Sequence, residues 1–165
     1  MGRTHWLPAY IGVGSNLGSP RVQVESGISA LNELPQTLIV LRSRLYRSKP
    51  LGPKDQPDFT NAVVALLTQL DPLRLLKCLQ DIERAHGRQR AKKWGPRTLD
   101  LDLLAVAGII CNESHLTLPH PGIKERNFVL FPWQDVAPYF WVPKLATVKE
   151  LASKVSVEPE IEVIA

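Results

Sequence analysis

The chain has 165 residues, of which 44% are hydrophobic and 22% charged, and its formal net charge at pH 7 is +4. These values are typical of one soluble globular domain over residues 1–165, with a net charge that is modest for a nucleic-acid-binding protein of this length. No apolar run approaches the roughly 18 residues of a membrane span, and the N-terminus lacks the apolar stretch of a signal peptide, so we expect a cytoplasmic protein.

The two cysteines carry a further indication of the compartment. Cys78 and Cys111 are isolated, and the chain has no Cys-x-x-Cys motif. We therefore expect reduced, packed thiols, and no structural zinc site.

Hydrophobic periodicity and turn residues predict six elements in the first 106 residues. The strands are apolar or alternating runs bounded by turn residues, and the helices carry apolar residues at helical spacing. In chain order they are a strand over 9–14, a helix over 21–32, strands over 37–46 and 61–67, a helix from Pro72 to about 85–87 and a strand over 99–106. The second helix begins with Asp71 as N-cap and a proline at its first position. Its predicted apolar face consists of Leu73, Leu76, Leu79 and Ile82.

This order predicts the fold class. A β-α-β-β-α-β succession is typical of an α+β, ferredoxin-like core, a four-stranded antiparallel sheet with two helices on one face. Residues 109–165 are expected to form a C-terminal appendage of short strands and helices. Its helices are predicted over 126–134 and 147–155, the second with Thr147 and Glu150 as a capping box. The acidic residues Glu158, Glu160 and Glu162 are expected to face solvent.

The last predicted strand of the core carries the most informative residues. Residues 99–106 are apolar apart from Asp100 and Asp102. Side chains alternate along a strand, so both carboxylates point to one face, with Cβ atoms roughly 6.5–7 Å apart. Two carboxylates at this spacing can hold one hard cation or bridge two, although the solvated face of an edge strand would show the same pattern.

A densely basic segment precedes this strand. Six basic residues and no acidic ones occur between residues 84 and 97, namely Arg84, Arg88, Arg90, Lys92, Lys93 and Arg97. An acidic pair beside a basic loop suits a magnesium–polyphosphate substrate, since the metal bridges phosphate and carboxylate oxygens and the arginines neutralise the remaining charge. A basic loop that binds nucleic acid nonspecifically is the alternative.

Three other enzyme classes find little support. The chain has no G-x-x-x-x-G-K-[ST] motif and is not a P-loop enzyme. The glycines at 12, 14 and 18 have the wrong spacing for a dinucleotide-binding fold, and are better explained by a backbone that approaches a ligand or a partner strand. No serine lies in a G-x-S-x-G elbow, so a serine hydrolase is not indicated.

Several motifs in series carry a resemblance to a known family. The run from Trp94 to Leu104, Trp-Gly-Pro-Arg-Thr-Leu-Asp-Leu-Asp-Leu-Leu, resembles the signature of the 6-hydroxymethyl-7,8-dihydropterin pyrophosphokinases. Gly14-Ser-Asn-Leu-Gly18, the segment 46–61 and Leu116-Thr-Leu-Pro-His120 are similar to further motifs of that family. The resemblance covers about residues 9 to 140, in order and with compatible spacing.

The resemblance implies an activity and its cofactors. The family transfers pyrophosphate from ATP to the hydroxymethyl group of the pterin in tetrahydrofolate biosynthesis, releases AMP and uses two magnesium ions. Asp100 and Asp102 would hold both metals, and Arg88 and Arg90 would stabilise charge on the transferred group. We expect ATP and the pterin to be the small-molecule partners of a monomeric enzyme, with neither a nucleic acid nor a membrane involved.

Substrate contacts follow from the same resemblance, residue by residue. The expected ATP contacts are Gln80, Glu83, Arg88, Trp94, Arg97, Leu103, Thr117, His120 and Arg126. The expected pterin contacts are Ser48, Leu51, Phe59, Asn61, Trp94 and Phe128, of which the two phenylalanines would sandwich the ring and Asn61 would bind its edge. The competing hypothesis is a ferredoxin-like RNA-binding domain that uses residues 84–97, but the strands 61–67 and 99–106 lack the aromatic residues on which bases stack.

Overall fold

A computed structural model describes residues 5–87 and 98–165 of the chain. Its strands are β1 (Leu7–Ser15), β2 (Thr37–Arg42), β3 (Tyr46–Ser48), β4 (Phe59–Thr68), β5 (Asp100–Val106), β6 (Cys111–Glu113), β7 (Leu116–Leu118) and β8 (Ile161–Val163). Its helices are α1 (Pro20–Asn32), α2 (Pro72–Ala85), α3 (Asn127–Val136) and α4 (Val148–Lys154), with a 3-10 turn at Ile123–Glu125.

The protein is an α+β fold built on an antiparallel sheet. Within the described residues, six strands form this sheet in the order β5-β1-β4-β3-β8, and β2 pairs with β4 on the same side as β3. Every pair is antiparallel. Strands β6 and β7 form a separate two-stranded hairpin. The sheet therefore has two strands more than the four predicted.

One of the additional strands arises because the predicted strand 37–46 is divided at Ser43. The Ser43 N–H donates to the Val63 carbonyl at 2.9 Å, and the Ser43 hydroxyl accepts from the Val63 N–H at 2.9 Å. A side-chain oxygen thus takes the acceptor place that a backbone carbonyl would fill in a regular ladder. The other additional strand is β8, which pairs with β3 from the far end of the chain.

The two long helices of the core confirm their predictions, with one correction. In α1 the buried residues include Val24, Ile28 and Leu31, as the spacing predicts, and Asp71 caps α2 by accepting the Arg74 N–H at 3.1 Å. In α2 the buried apolar residues are Leu75, Leu79 and Ile82, whereas Leu73 is 46% exposed. The prediction for Leu73 was wrong because the buried face of α2 contains Leu75. Leu73 lies two residues before Leu75, and therefore about 200° from it around the helix.

The sheet is covered on both faces, which the sequence reasoning did not anticipate. Helices α1 and α2 pack on one face, over a core that includes Ile11, Val64 and Leu103. Helices α3 and α4 pack on the other face, over Tyr10, Val63 and Leu104. The predicted helices 126–134 and 147–155 thus exist as α3 and α4, and Thr147 accepts the Glu150 N–H at 3.2 Å. They complete the second half of the core rather than forming a peripheral appendage.

Two expectations about the protein's class can be compared with the described residues. Both cysteines lie within them and are free thiols, and Cys78 is partly buried against the core. Among residues 5–87 and 98–165, no helix combines the length and the apolar character needed to cross a membrane. The acidic side chains of Glu158, Glu160 and Glu162 are exposed, as predicted.

Candidate active site

Two glycines of β1 form the floor of a cavity on the α3 face of the sheet. Gly12 lies opposite Asp102 of β5, and Gly14 lies opposite both Asp100 of β5 and Asn61 of β4. A Cβ atom at Gly14 would come 3.3 Å from Asn61 Oδ1, closer than ordinary packing allows. The absence of side chains at these positions therefore leaves space above the strand for a ligand.

The cavity brings together residues from distant parts of the chain. One side comes from β3, the segment after it and β4, the other side comes from β5, and the start of α3 adds further lining residues. The side chains that line it include Ser48, Lys49, Leu51, Phe59, Asn61, Asp100, Asp102, His120, Arg126, Phe128 and Val129. Nine of these eleven belong to the predicted site, and Lys49 and Val129 are additions.

The two aspartates share one face of β5, as the alternation predicts. The neighbouring residues Leu101 and Leu103 point to the opposite face and are buried in the α1–α2 core. The start of β5 is held by α2, since the buried carboxylate of Glu83 accepts the Leu101 N–H at 2.8 Å. The acidic pair is thus attached to the core through the residue between its members.

Arg126 lies beside this acidic pair. Its Nη1 is 3.5 Å from Asp102 Oδ2, and its guanidinium is 6.0 Å from the centre of the Phe128 ring. A Cβ at Gly122 would come 2.7 Å from the Arg126 Nε, so only glycine lets the guanidinium lie against this backbone. A positive charge is thereby placed next to the carboxylates, where polyphosphate would need it.

His120 enters the cavity as a neutral ring. The Gly122 N–H donates to His120 Nδ1 at 3.0 Å, so Nε2 carries the hydrogen and can donate it to a ligand. The pKa of His120 is lowered to about 4, first by burial and then by the positive charge of Arg126, against a smaller opposing effect of Asp100. At neutral pH the ring is a hydrogen-bond donor without a charge.

This lowered pKa predicts how stability depends on pH. Between about pH 6.5 and 4 the unfolded chain takes up a proton at His120 that the folded chain does not. The free energy of unfolding therefore falls as the pH falls through this range, whereas above pH 6.5 His120 does not destabilise the folded chain in this way. We expect His120→Gln to lose less stability than the wild type in urea unfolding between about pH 7 and 4.5. His115→Gln, at an exposed histidine, is the matched control. Equal losses in the wild type and His120→Gln would contradict this assignment.

Besides the charged residues, the cavity is lined by one buried amide, that of Asn61, and by two phenylalanines. Asn61 is 6% exposed and its Nδ2 donates to Ser48 Oγ at 2.8 Å, which leaves Oδ1 above Gly14. Phe59 follows the irregular segment 49–58, and Phe128 lies in the first turn of α3. Flat aromatic faces and an amide in one cavity are the features that bind a planar polar heterocycle.

The irregular segment 49–58 is anchored near its end. The Asn16 amide donates to Gln56 Oε1 at 2.9 Å and to the Pro57 carbonyl at 3.0 Å. Asn16 is 1% exposed and Gln56 is 8% exposed. Sequence reasoning missed this pair because a hydrogen bond between residues 40 positions apart leaves no local pattern.

Some predicted contacts lie away from the cavity or outside the described residues. Glu83 and Leu103 are buried in the core, Gln80 is half-buried on α2, and Thr117 is half-buried on β7. Their roles as ATP contacts remain predictions. The predictions for Arg88, Arg90, Trp94 and Arg97 fall on residues that lie outside the described ranges.

Comparison with known proteins identifies the family. Residues 10–138 match the family model described as 7,8-dihydro-6-hydroxymethylpterin-pyrophosphokinase (HPPK). The chain belongs to the HPPK family. Its members are pyrophosphokinases of folate biosynthesis and use ATP as co-substrate, so the chain is a transferase of this class. The predicted family is thereby confirmed.

Individual relatives agree with this assignment. The HPPK-family chain is 43% identical over 148 residues to a Haemophilus influenzae 2-amino-4-hydroxy-6-hydroxymethyldihydropteridine pyrophosphokinase. The aligned region covers 90% of this chain and 92% of the relative. The same chain is 48% identical over 134 residues to the Pseudomonas aeruginosa protein of the same name, covering 81% of this chain and 83% of that protein.

Solved structures show the same fold. A triple mutant of the Plasmodium falciparum HPPK-DHPS with pteroate superposes with a TM-score of 0.69 at 15% identity, over 90% of this chain and 43% of that chain. The wild-type HPPK-DHPS with pteroate gives a TM-score of 0.67, again at 15% identity and over 90% of this chain. The present chain thus spans less than half of these longer structures.

Proposed function

We propose that the cavity between β4, β5 and α3 is the catalytic centre of a 6-hydroxymethyl-7,8-dihydropterin pyrophosphokinase. The hydroxymethyl oxygen of the pterin attacks the β-phosphorus of ATP, the bond from that phosphorus to the oxygen bridging to the α-phosphorus breaks, and AMP leaves while the hydroxyl proton is released. The observation that carries this proposal is the acidic pair of β5 facing the Phe59–Phe128 wall across a glycine floor.

The pterin is proposed to lie between Phe59 and Phe128. Asn61 Oδ1 accepts from the ring edge, while Ser48 and Leu51 complete the wall, Ser48 by holding the Asn61 amide in place. Trp94 is proposed as a further pterin contact. Because both phenylalanines are half-buried and line the cavity, they can stack on a ligand as well as pack against the protein.

The acidic pair is proposed to hold two magnesium ions. Among the described residues no cluster of three or more acidic, histidine or cysteine side chains occurs that could form a complete metal cage. The site nevertheless fits magnesium, because this ion is commonly bound by one or two carboxylates together with substrate phosphates and water. When bound, magnesium neutralises phosphate charge and orients the attacking and leaving oxygens. Asp100 and Asp102 supply hard oxygen ligands on one strand face for this purpose.

The positive groups around the cavity are proposed to hold ATP. Arg126 lies beside the Asp102 carboxylate and is proposed to bind an incoming phosphate, and His120 is proposed to donate to ATP through Nε2 without adding charge. Arg88 and Arg90 are proposed to stabilise charge on the transferred pyrophosphate. The remaining proposed ATP contacts are Gln80, Glu83, Trp94, Arg97, Leu103 and Thr117.

The finer class of the protein is also proposed here. The strand order β5-β1-β4-β2, with α1 and α2 on one face, supports a ferredoxin-like core within the larger sheet. We propose that residues 1–165 form one domain that acts as a monomer in the cytoplasm. The nucleic-acid alternative is disfavoured because α3 and α4 cover the sheet face that such domains leave open for bases.

The proposed function is tested by AMP release from ATP, measured with and without 6-hydroxymethyl-7,8-dihydropterin, in magnesium and in EDTA. We expect AMP and pterin pyrophosphate in equal amounts, only when pterin and magnesium are both present. A folded protein that neither binds the pterin nor releases AMP would refute the proposal, and RNA binding with a steep salt dependence would favour the alternative.

A further inference from the structure

The proposed pterin site has two walls that belong to different parts of the fold. The first wall contains Ser48 of β3 and the adjacent Lys49, and the second contains Phe128 of α3 together with Arg126. A flat ring held between two walls requires a fixed distance between them, since a displacement of about 1 Å in a catalytic site can cost as much as 10²-fold in rate. What holds the walls at this distance is therefore part of the site.

The C-terminal segment contacts both walls through consecutive residues. The Asn127 amide, next to Phe128, donates to the Pro159 carbonyl at 2.8 Å and to the Ser156 carbonyl at 3.3 Å. The Lys49 N–H, next to Ser48, donates to the Glu160 carbonyl at 3.0 Å. Two neighbouring carbonyls of one segment thus accept hydrogen bonds from opposite walls.

The same segment is fixed beyond this point by pairing with the sheet. Strand β8 pairs with β3 along its length, and Ser48 lies opposite Ile161. Past the strand, the Ile164 N–H donates to the Leu45 carbonyl at 2.9 Å. The segment is therefore anchored on the β3 side as an added strand rather than lying loosely on the surface.

Asn127 is fully buried and joins the segment to α3. It is 0% exposed, and its amide nitrogen donates to two carbonyls of residues about 30 positions later in the chain. When both amide hydrogens of a buried side chain bind carbonyls of one segment, they fix that segment in one position relative to the helix that carries the side chain. The family match ends at residue 138, so the segment lies outside the matched region.

We propose that residues 156–164, here called the C-terminal strap, set the distance between the two walls of the pterin site, and that Asn127 is a positioning residue that acts through this strap. The proposal rests on the proposed function. Asn127 does not line the cavity, and its effect on the substrate is transmitted through the strap to Lys49 and Ser48 on one side and through α3 to Phe128 on the other. Arg126, the proposed ATP contact beside Phe128, is held to β5 by its ion pair with Asp102, so ATP binding on the Asp100–Asp102 side is expected to change much less than pterin binding.

The experiment is the steady-state kinetics of Asn127→Ala. We expect the KM for the pterin to rise about tenfold while the KM for ATP changes by less than about twofold. Asn112→Ala, at an exposed asparagine of β6, is the matched control and is expected to leave both constants unchanged. A residue with only a structural role would lower the amount of folded enzyme, and hence the apparent kcat, with an unchanged pterin KM.

A second variant tests the other end of the strap. Ile164→Pro removes the N–H that donates to Leu45 and is expected to raise the pterin KM as well. If the two ends of the strap act in series, the pterin KM of the double variant Asn127→Ala/Ile164→Pro should not exceed that of the single variant with the higher KM. If the two ends acted independently, the two increases in KM would multiply. This variant also provides the test if Asn127→Ala does not fold.

The outcomes separate the strap from the proposed function. Wild-type enzyme that releases AMP, together with unchanged pterin KM in both variants, would overturn the strap alone. Equal rises in the KM for ATP and for the pterin would also overturn it, because the effect would then not be confined to the pterin walls. Absence of pterin-dependent AMP release in the wild type would overturn the proposed function and the strap with it.

Discussion

Replacing Asp100 or Asp102 by asparagine is expected to lower turnover about 10³-fold, which corresponds to ~4 kcal/mol in activation free energy. Asparagine keeps the size of the side chain and removes the charge that neutralises bound magnesium. Both residues lie on the cavity side of β5 and their alternating neighbours are buried on the other face, so the substitution should leave the core intact. The measurement is pterin-dependent AMP release at saturating ATP and magnesium.

The control for these variants is Asp81→Asn, the same substitution at an exposed position of α2. It is expected to retain wild-type turnover. Direct binding of magnesium in the presence of a nonhydrolysable ATP analogue, measured by calorimetry, should weaken in Asp100→Asn and Asp102→Asn but not in Asp81→Asn. Normal turnover and normal magnesium binding in either active-site variant would refute the proposal that Asp100 and Asp102 hold magnesium.

Replacing Asn61 by leucine is expected to lower kcat/KM for the pterin about 100-fold, or ~2.7 kcal/mol. The amide is held by its bond to Ser48 with Oδ1 above Gly14, so the variant leaves the hydrogen-bond donors of the bound ring without an acceptor. The KM for ATP should change little, because Asn61 lies on β4, on the opposite wall from the acidic pair. The measurement is kcat/KM with each substrate varied in turn.

Asn61→Asp separates shape from hydrogen bonding at this position. The carboxylate keeps an acceptor above Gly14 and can accept from the Ser48 hydroxyl, so we expect a smaller loss than in Asn61→Leu. The exposed Asn32, at the end of α1, provides the control variant Asn32→Leu. An equal loss in Asn61→Leu and Asn61→Asp would mean that the acceptor oxygen is not what the site uses.

The sequence predicted most of the local structure because each element has a local cause. Asp71 before Pro72 predicts the start of α2, and the spacing of Val24, Ile28 and Leu31 predicts the buried face of α1; both are confirmed. The alternation along β5 likewise predicts that both aspartates share a face, and they line one cavity. Nine of the predicted site residues lie in that cavity because the resemblance placed them there from several separate motifs.

Most of the failed predictions concern features that depend on contacts between residues far apart in the chain. The division of the predicted strand at Ser43 depends on its bonds with Val63, and the exposure of Leu73 depends on which side of α2 meets the sheet. Lys49 lines the cavity although its ammonium pairs with Asp58, while the contact between Asn16 and Gln56 joins residues 40 positions apart. Apart from the buried face of α2, which follows the spacing of Leu75, Leu79 and Ile82, these features leave no periodic pattern in the sequence.

By itself, then, the sequence determined the type and approximate limits of the core elements, the shared face of Asp100 and Asp102, and, through its motifs, the family. Hydrogen bonding between neighbours in sequence and the spacing of apolar side chains are sufficient for the first two. Only the tertiary structure decided that α3 and α4 close the second face of the sheet, and that β8 returns to pair with β3. Both depend on contacts between residues far apart in the chain, whose energy is realised only when the whole core is assembled.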